Sequence, residues 1–122
     1  MTIQCLIVDD NRYFLEAARR LLEAEGITVV GVATNGVEAF RRVAELQPDV
    51  TLVDVNLGNE NGFEVARSLA AATKRTPSRV ILISTYGEED LVDSAPTGRV
   101  LPFLSKTDLS GSAIRAVLSC DS

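Results

Sequence analysis

Five side chains able to do chemistry stand at equivalent points of this sequence, each just past a short apolar run. Asp54 closes the run at residues 50–53, and Asp9 and Asp10 close the run at 5–8. Ser84 follows residues 80–83, and Lys106 follows residues 100–104. If the runs are buried parallel strands, these groups meet in the crevice beyond their C-terminal ends. Three carboxylates brought that close repel one another, and one must take a proton unless a cation intervenes. A hard divalent ion with oxygen ligands resolves the conflict. Mg²⁺ is the natural choice, because it takes one or two carboxylates and leaves positions for water and phosphate oxygens. A carboxylate nucleophile, Mg²⁺, the Lys106 ammonium and the Ser84 hydroxyl together form a phosphoryl-transfer set. Taken singly, each residue has a plainer reading: a strand end, a helix cap, a loop carboxylate, a surface lysine or serine. Their common placement at strand ends favours the shared site.

The intervening segments must supply the frame. Residues 5–8, 28–32, 50–53, 80–83 and 100–104 are apolar or β-branched, as strands buried on both faces are. Between them lie segments with helical spacing. The first is capped by Asn11, has Phe14, Ala18, Leu21 and Leu22 facing inward, and stops at Gly26. The second follows Thr34-Asn35-Gly36, with Val37, Phe40, Val43 and Ala44 inward and Pro48 at its end. The loop at 55–61 leads to a third, with Phe63, Ala66, Leu69 and Ala70 inward, and Thr76-Pro77-Ser78 makes a turn. Residues 88–95 offer two turns at most before Pro96, so a short or irregular fourth helix is expected. Pro102 cannot donate to a ladder and places the fifth strand at a sheet edge. The last helix uses Leu109, Ala113, Ile114, Val117 and Leu118. The expected architecture is α/β: a doubly wound, five-stranded parallel sheet of order 2-1-3-4-5, covered on both faces in a three-layer (βα)5 arrangement.

The 122 residues suit one domain, 1–122, with one core. Composition is that of an ordinary globular protein, 46% hydrophobic and 24% charged. The net charge of −5 disfavours direct binding to nucleic acid or anionic membrane. No apolar run approaches the roughly 18–20 residues needed to span a bilayer, and Met1-Thr2-Ile3-Gln4 lacks the basic start of a signal peptide. Histidine is absent, which excludes a Ser-His-Asp triad, a histidine zinc site and a phosphohistidine on this chain. Cys5 and Cys120 form neither a disulfide framework nor a metal pair, and a cytoplasmic setting is expected.

These residues resemble the receiver domain of two-component response regulators, CheY-like in fold. The resemblance is carried by Leu6-Ile7-Val8-Asp9-Asp10, Pro48-Asp49-Val50 with Asp54, Ile81-Leu82-Ile83-Ser84 and Phe103-Leu104-Ser105-Lys106. It spans essentially the whole chain, and it is specific through the joint order and spacing of motifs that are individually weak. It implies that Asp54 is the phosphoacceptor. Asp10 is then the direct Mg²⁺ ligand, Asp9 holds a metal-bound water, and Asp54 and the backbone carbonyl of Asn56 complete the set. Lys106 would pair with a phosphoryl oxygen, Ser84 would be the switch hydroxyl, and Phe103 the aromatic that turns inward with it. Asn56 and Tyr86 would tune loss of the phosphoryl group. Three departures stand out: Leu57-Gly58 where the family has a proline, which implies a more flexible loop; Lys106-Thr107 in place of Lys-Pro; and Ser94-Ala95-Pro96-Thr97-Gly98 within the fourth helix, which implies a remodelled output face.

The expected activity is Mg²⁺-dependent transfer of a phosphoryl group to Asp54 from a sensor histidine kinase or phosphotransfer protein. The result is a signalling switch that catalyses only its own phosphorylation and dephosphorylation. An effector domain, a downstream protein and a second copy of the chain are candidate partners. The main alternative is a receiver-like interaction module independent of phosphorylation. An aspartate-based phosphohydrolase is disfavoured because Asn56 stands where its second aspartate belongs. A flavin mononucleotide binder is disfavoured because Asp9 and Asp10 would repel its phosphate.

Overall fold

The computed structural model describes residues 3–58, 60–72, 79–84 and 103–119. Its strands are β1 (Gln4–Val8), β2 (Thr28–Ala33), β3 (Val50–Asp54), the two-residue β4 (Asn56–Leu57) and β5 (Glu60–Asn61), β6 (Arg79–Ser84) and β7 (Phe103–Ser105). The helices are α1 (Arg12–Ala24), α2 (Gly36–Leu46), α3 (Gly62–Ala72) and α4 (Gly111–Ser119), with a 3-10 turn at Lys106–Asp108. The main sheet has the order β2-β1-β3-β6-β7, all parallel, which is the expected 2-1-3-4-5 with a small antiparallel β4–β5 hairpin inserted after β3. The expected fourth helix, Tyr86, Pro102, Cys120 and the turn at 76–78 lie outside the described residues.

The continuous apolar runs are explained by burial on both faces. In β1, Cys5 and Ile7 enter one core with Leu15, Ala18 and Leu22 of α1 and Ile114 of α4. Leu6 and Val8 point the other way, into a core with Ala39 of α2 and Val65, Ala66 and Leu69 of α3. Alternation of side chains along each strand thus feeds two cores and gives three layers. Burial pushes the Cys5 thiol up to about 12, so it packs as an apolar group.

Helix ends follow their local signals. Asn11 Oδ1 accepts from the Tyr13 and Phe14 amides at 3.0 and 3.2 Å. Gly26, at φ +88°, allows the sharp exit after α1. Glu25 also reaches across the fold: its carboxylate accepts from the Gly111 amide at the start of α4, and Arg115 donates to its carbonyl at 2.7 Å.

Two inward faces differ from the sequence expectation. In α1, Leu15 is buried and Leu21 is exposed. In α2, Ala39 packs inward with half-buried Val43 and Leu46, whereas Val37 is 70% exposed and Phe40 and Ala44 also face out. Both segments carry apolar residues at adjacent positions, so more than one helical phase fits the pattern, and packing selects between them. In α3, Val65 joins Ala66 and Leu69.

Thr51 in β3 is 1% exposed, and its hydroxyl has no hydrogen-bond partner among the described residues. An unmet buried hydroxyl carries a desolvation cost without return. Thr51→Val should therefore leave stability unchanged or raise it by up to about 1 kcal/mol, read as the urea midpoint.

Candidate functional site

The sheet's order reverses between β1 and β3, the place where doubly wound sheets open a crevice at their C-terminal ends. Val8 lies opposite Val53, so Asp9 and Asp54 emerge side by side. Asp54 is opposite Ile83, and Ile83 opposite Leu104, which brings Lys106 to the same rim two residues later. The structure thus unites Asp9, Asp10, Asp54 and Lys106. The three carboxylates offer oxygens that all lie within 4.8 Å of one another.

Each group is held from more than one side. Asp54 is 5% exposed. Its Oδ1 accepts from the Asn56 amide at 3.0 Å and its Oδ2 from the Lys106 ammonium at 2.9 Å. Asp9 is fully buried; its Oδ1 accepts from the Asn11 amide at 2.8 Å. Its Oδ2 lies 2.7 Å from Lys106 Nζ as an ion pair. Three carboxylates clustered around a single ammonium leave uncompensated negative charge, and that oxygen-rich set fits a hard cation. Asp10 is exposed. Lys106 Nζ also sits 4.3 Å from the centre of the Phe14 ring, whose face attracts a cation. Burial opposes the lysine's charge, but its bonds to Asp9 and Asp54 prevail, and the net result is a raised pKa.

Ser84 is fully buried and lies opposite Ser105 in β7, one step beyond Asp54's partner Ile83. Phe103, opposite Leu82, is half-buried against the α2–α3 core. Asn56 opens β4, and its amide is the one that meets Asp54. Three contributors were not assigned a part by sequence reasoning. Asn11 was read only as a cap, but its own amide also holds Asp9. Phe14 was read as core, and helical spacing alone carries no sign of its contact with Lys106. Gly62, between the loop at 55–61 and Phe63, is given no part by the sequence pattern. A Cβ there would fall 1.9 Å from the Asp54 carbonyl oxygen, so only glycine lets α3 begin against the site.

The Asp9 carboxyl is pushed up from an ordinary 3.8 to about 6, chiefly by burial, with Lys106 and the Asn11 amide opposing. Its folded pKa lies above its unfolded one. Its contribution to stability is therefore full below about pH 4 and is lost as pH rises through about 6. In metal-free protein, the wild type should lose stability relative to Asp9→Asn across that window, by up to about 1.4 kcal/mol per pH unit. Urea midpoints in a chelator at several pH values measure the difference.

The family described as response regulator receiver domain matches residues 5–117. A Myxococcus xanthus protein-glutamate methylesterase/protein-glutamine glutaminase is 41% identical over 88 residues, covering 71% of this chain and 25% of that protein. The probable transcriptional regulatory protein NarL of Mycobacterium tuberculosis is 32% identical over 119 residues, covering 97% of this chain and 54% of NarL. The chain therefore spans about half or less of these relatives' length. The solved signal receiver domain of the putative response regulator NarL from Mycobacterium tuberculosis superposes with a TM-score of 0.78 at 30% identity, covering 98% of this chain and 95% of that one.

Proposed function

The chain belongs to the response-regulator receiver family, and from that membership we propose that Asp54 is the residue that carries the phosphoryl group. A receiver domain is a phosphoryl-accepting signalling element, and the phosphorylation-independent alternative is not favoured. The observation that most supports Asp54 is its setting: one oxygen on the Lys106 ammonium, the other on a backbone amide, with Asp9 and Asp10 beside it.

Asp9, Asp10, Asp54 and the Asn56 carbonyl are the groups that would hold Mg²⁺, with Asp9 acting through a water. Bound there, the ion supplies positive charge to the oxygens of the incoming phosphoryl group. An Asp54 oxygen forms the new bond to phosphorus; the bond from phosphorus to the donor breaks, and its electron pair leaves with the donor. Lys106 is already aimed at Asp54, so it can follow the charge onto a phosphoryl oxygen without reorganisation. The Ser84 hydroxyl then bonds the new group, and Phe103 moves inward from its half-buried position. The added charge of about −1.5 to −2 drives the switch. Asn56 and Tyr86 tune its lifetime.

With no histidine among these 122 residues, the phosphoryl donor lies outside this domain: a sensor histidine kinase, a phosphotransfer protein or a small acyl phosphate. The domain is a switch, and its only catalysis is its own phosphorylation and dephosphorylation. The relatives' greater length supports a regulator in which residues 1–122 form the receiver unit and an effector domain or downstream protein reads it, and a cytoplasmic setting goes with that family reading. Among the described residues no helix is long and apolar enough to cross a membrane. Incubation with acetyl phosphate and Mg²⁺ should add one phosphoryl mass to the intact protein, and chelation of Mg²⁺ should prevent it. No gain with any phosphodonor would overturn the proposal.

A further inference from the structure

The segment after Asp54 is a roof over the carboxylates, and it is built from weak parts. Its strands β4 and β5 have two residues each, too few for a ladder to hold by itself. Gly58 adds a residue of high backbone freedom, at φ +63°. The roof reaches the site at two points, one a hydrogen bond and one a close approach. The Asn56 amide lies on Asp54 Oδ1, and a Cβ on Gly58 would lie 3.0 Å from Asp10 Oδ2.

Leu57 anchors one strand of the hairpin in the core, and Asn61 caps α3 by accepting from the Phe63 amide at 2.9 Å. At its base the Gly62 amide donates to the Val55 carbonyl at 3.0 Å, and a further tether is Glu60, paired with Leu57 across the hairpin. Its Oε1 accepts from the Gly36 amide, the first of α2, at 2.8 Å and 24 residues away in sequence. That helix start is otherwise capped: Asn35 Oδ1 accepts from the Glu38 amide at 2.9 Å, and Glu38 Oε1 accepts from the Thr34 amide at 2.7 Å. Glu60 takes a donor that the local caps leave over, and it places an anion at the positive end of the helix.

We propose that Glu60 is a positioning residue for the phosphoryl-accepting site. Docked on the N-terminus of α2, it fixes the β4–β5 hairpin, and through it the Asn56 amide on Asp54 and the backbone of Gly58 beside Asp10. This rests on the reading that Asp10 and Asp54 hold a divalent ion. Losing Glu60 loosens the roof without removing any ligand.

The test compares wild type, Glu60→Ala, Glu60→Gln and Gly36→Ala by three measurements: the Mg²⁺ dissociation constant by calorimetry, the rate of mass gain with acetyl phosphate at saturating Mg²⁺, and the urea midpoint. Glu60→Ala should weaken Mg²⁺ binding about tenfold, the scale seen when a group supporting a metal ligand is removed. Glu60→Gln keeps an acceptor for the Gly36 amide and should fall between Ala and wild type. Gly36→Ala attacks the same contact from the other side. Its Cβ would fall 2.8 Å from Glu60 Oε2 and 3.2 Å from Val65 Cγ2, while alanine favours the helix it joins. It should weaken Mg²⁺ binding with the urea midpoint held, an outcome that simple destabilisation does not give. Mg²⁺ affinity and rate within twofold of wild type in Glu60→Ala would overturn the proposal, as would losses that only track the folded fraction. If the wild type binds Mg²⁺ but takes no phosphoryl group, the phosphoacceptor reading falls while the binding arm still decides Glu60. If it binds no Mg²⁺, both fall.

Discussion

Asp54→Asn should fold with stability close to wild type and take up no phosphoryl group from acetyl phosphate. The near-neutral stability follows from opposing changes. The asparagine carbonyl can still accept from the Asn56 amide, which now meets Asp54 Oδ1 at 3.0 Å. Lys106 loses its ion pair with Asp54 at 2.9 Å but keeps Asp9 at 2.7 Å. The repulsion between Asp9 and Asp54 disappears, and that repulsion is among the forces raising the Asp9 pKa. Reactivity has no such compensation, because an amide is not a carboxylate nucleophile. Mg²⁺ affinity should fall as well, since one of three clustered carboxylates is gone. Intact-mass measurement after phosphodonor treatment decides the matter. A persistent mass gain in the variant would move the acceptor to another residue.

Gly62→Ala is expected to be the most damaging small substitution near the site, costing about 3 kcal/mol or more. The added Cβ would meet the Asp54 carbonyl oxygen at 1.9 Å, and the Cα and carbonyl carbon of Val55 at 2.6 and 2.7 Å. All three are backbone atoms of the segment leaving β3, so no side chain can swing aside. The Gly62 amide also donates to the Val55 carbonyl at 3.0 Å, which fixes the approach. Alanine would favour α3 by up to about 1 kcal/mol, too little to offset the clash. Urea unfolding measures the loss. The folded fraction should also bind Mg²⁺ more weakly, because the atoms displaced belong to Asp54 and its neighbour.

Much of this was legible from the residues. Runs such as 5–8 and 50–53 are apolar without alternation because their side chains feed two cores, and that fixed both the parallel sheet and the rim where Asp9, Asp54 and Lys106 meet. Helix phase was less legible. Leu21, Val37 and Phe40 look as apolar as their buried neighbours, and only packing against the sheet separates them. The β4–β5 hairpin could not be read, since two-residue strands have no periodicity. The parts played by Phe14 and Glu60 depend on partners far away in sequence, and that of Gly62 on how the chain turns back against Asp54 and Val55; no local pattern encodes those.

The clamp at Glu25 bears on how the chain reaches this state. Its carboxylate and carbonyl engage residues 86 and 90 positions further on, and the same helix shares its core with Ile114. During synthesis the first helix therefore waits for nearly the whole domain before its final contacts exist. Closing so long a loop costs only slowly growing entropy, so the clamp is thermodynamically inexpensive, but contacts of such range slow the search. An early, half-emerged chain exposes one side of its central strand, and protection of that surface becomes a task for the cell until the last turns arrive.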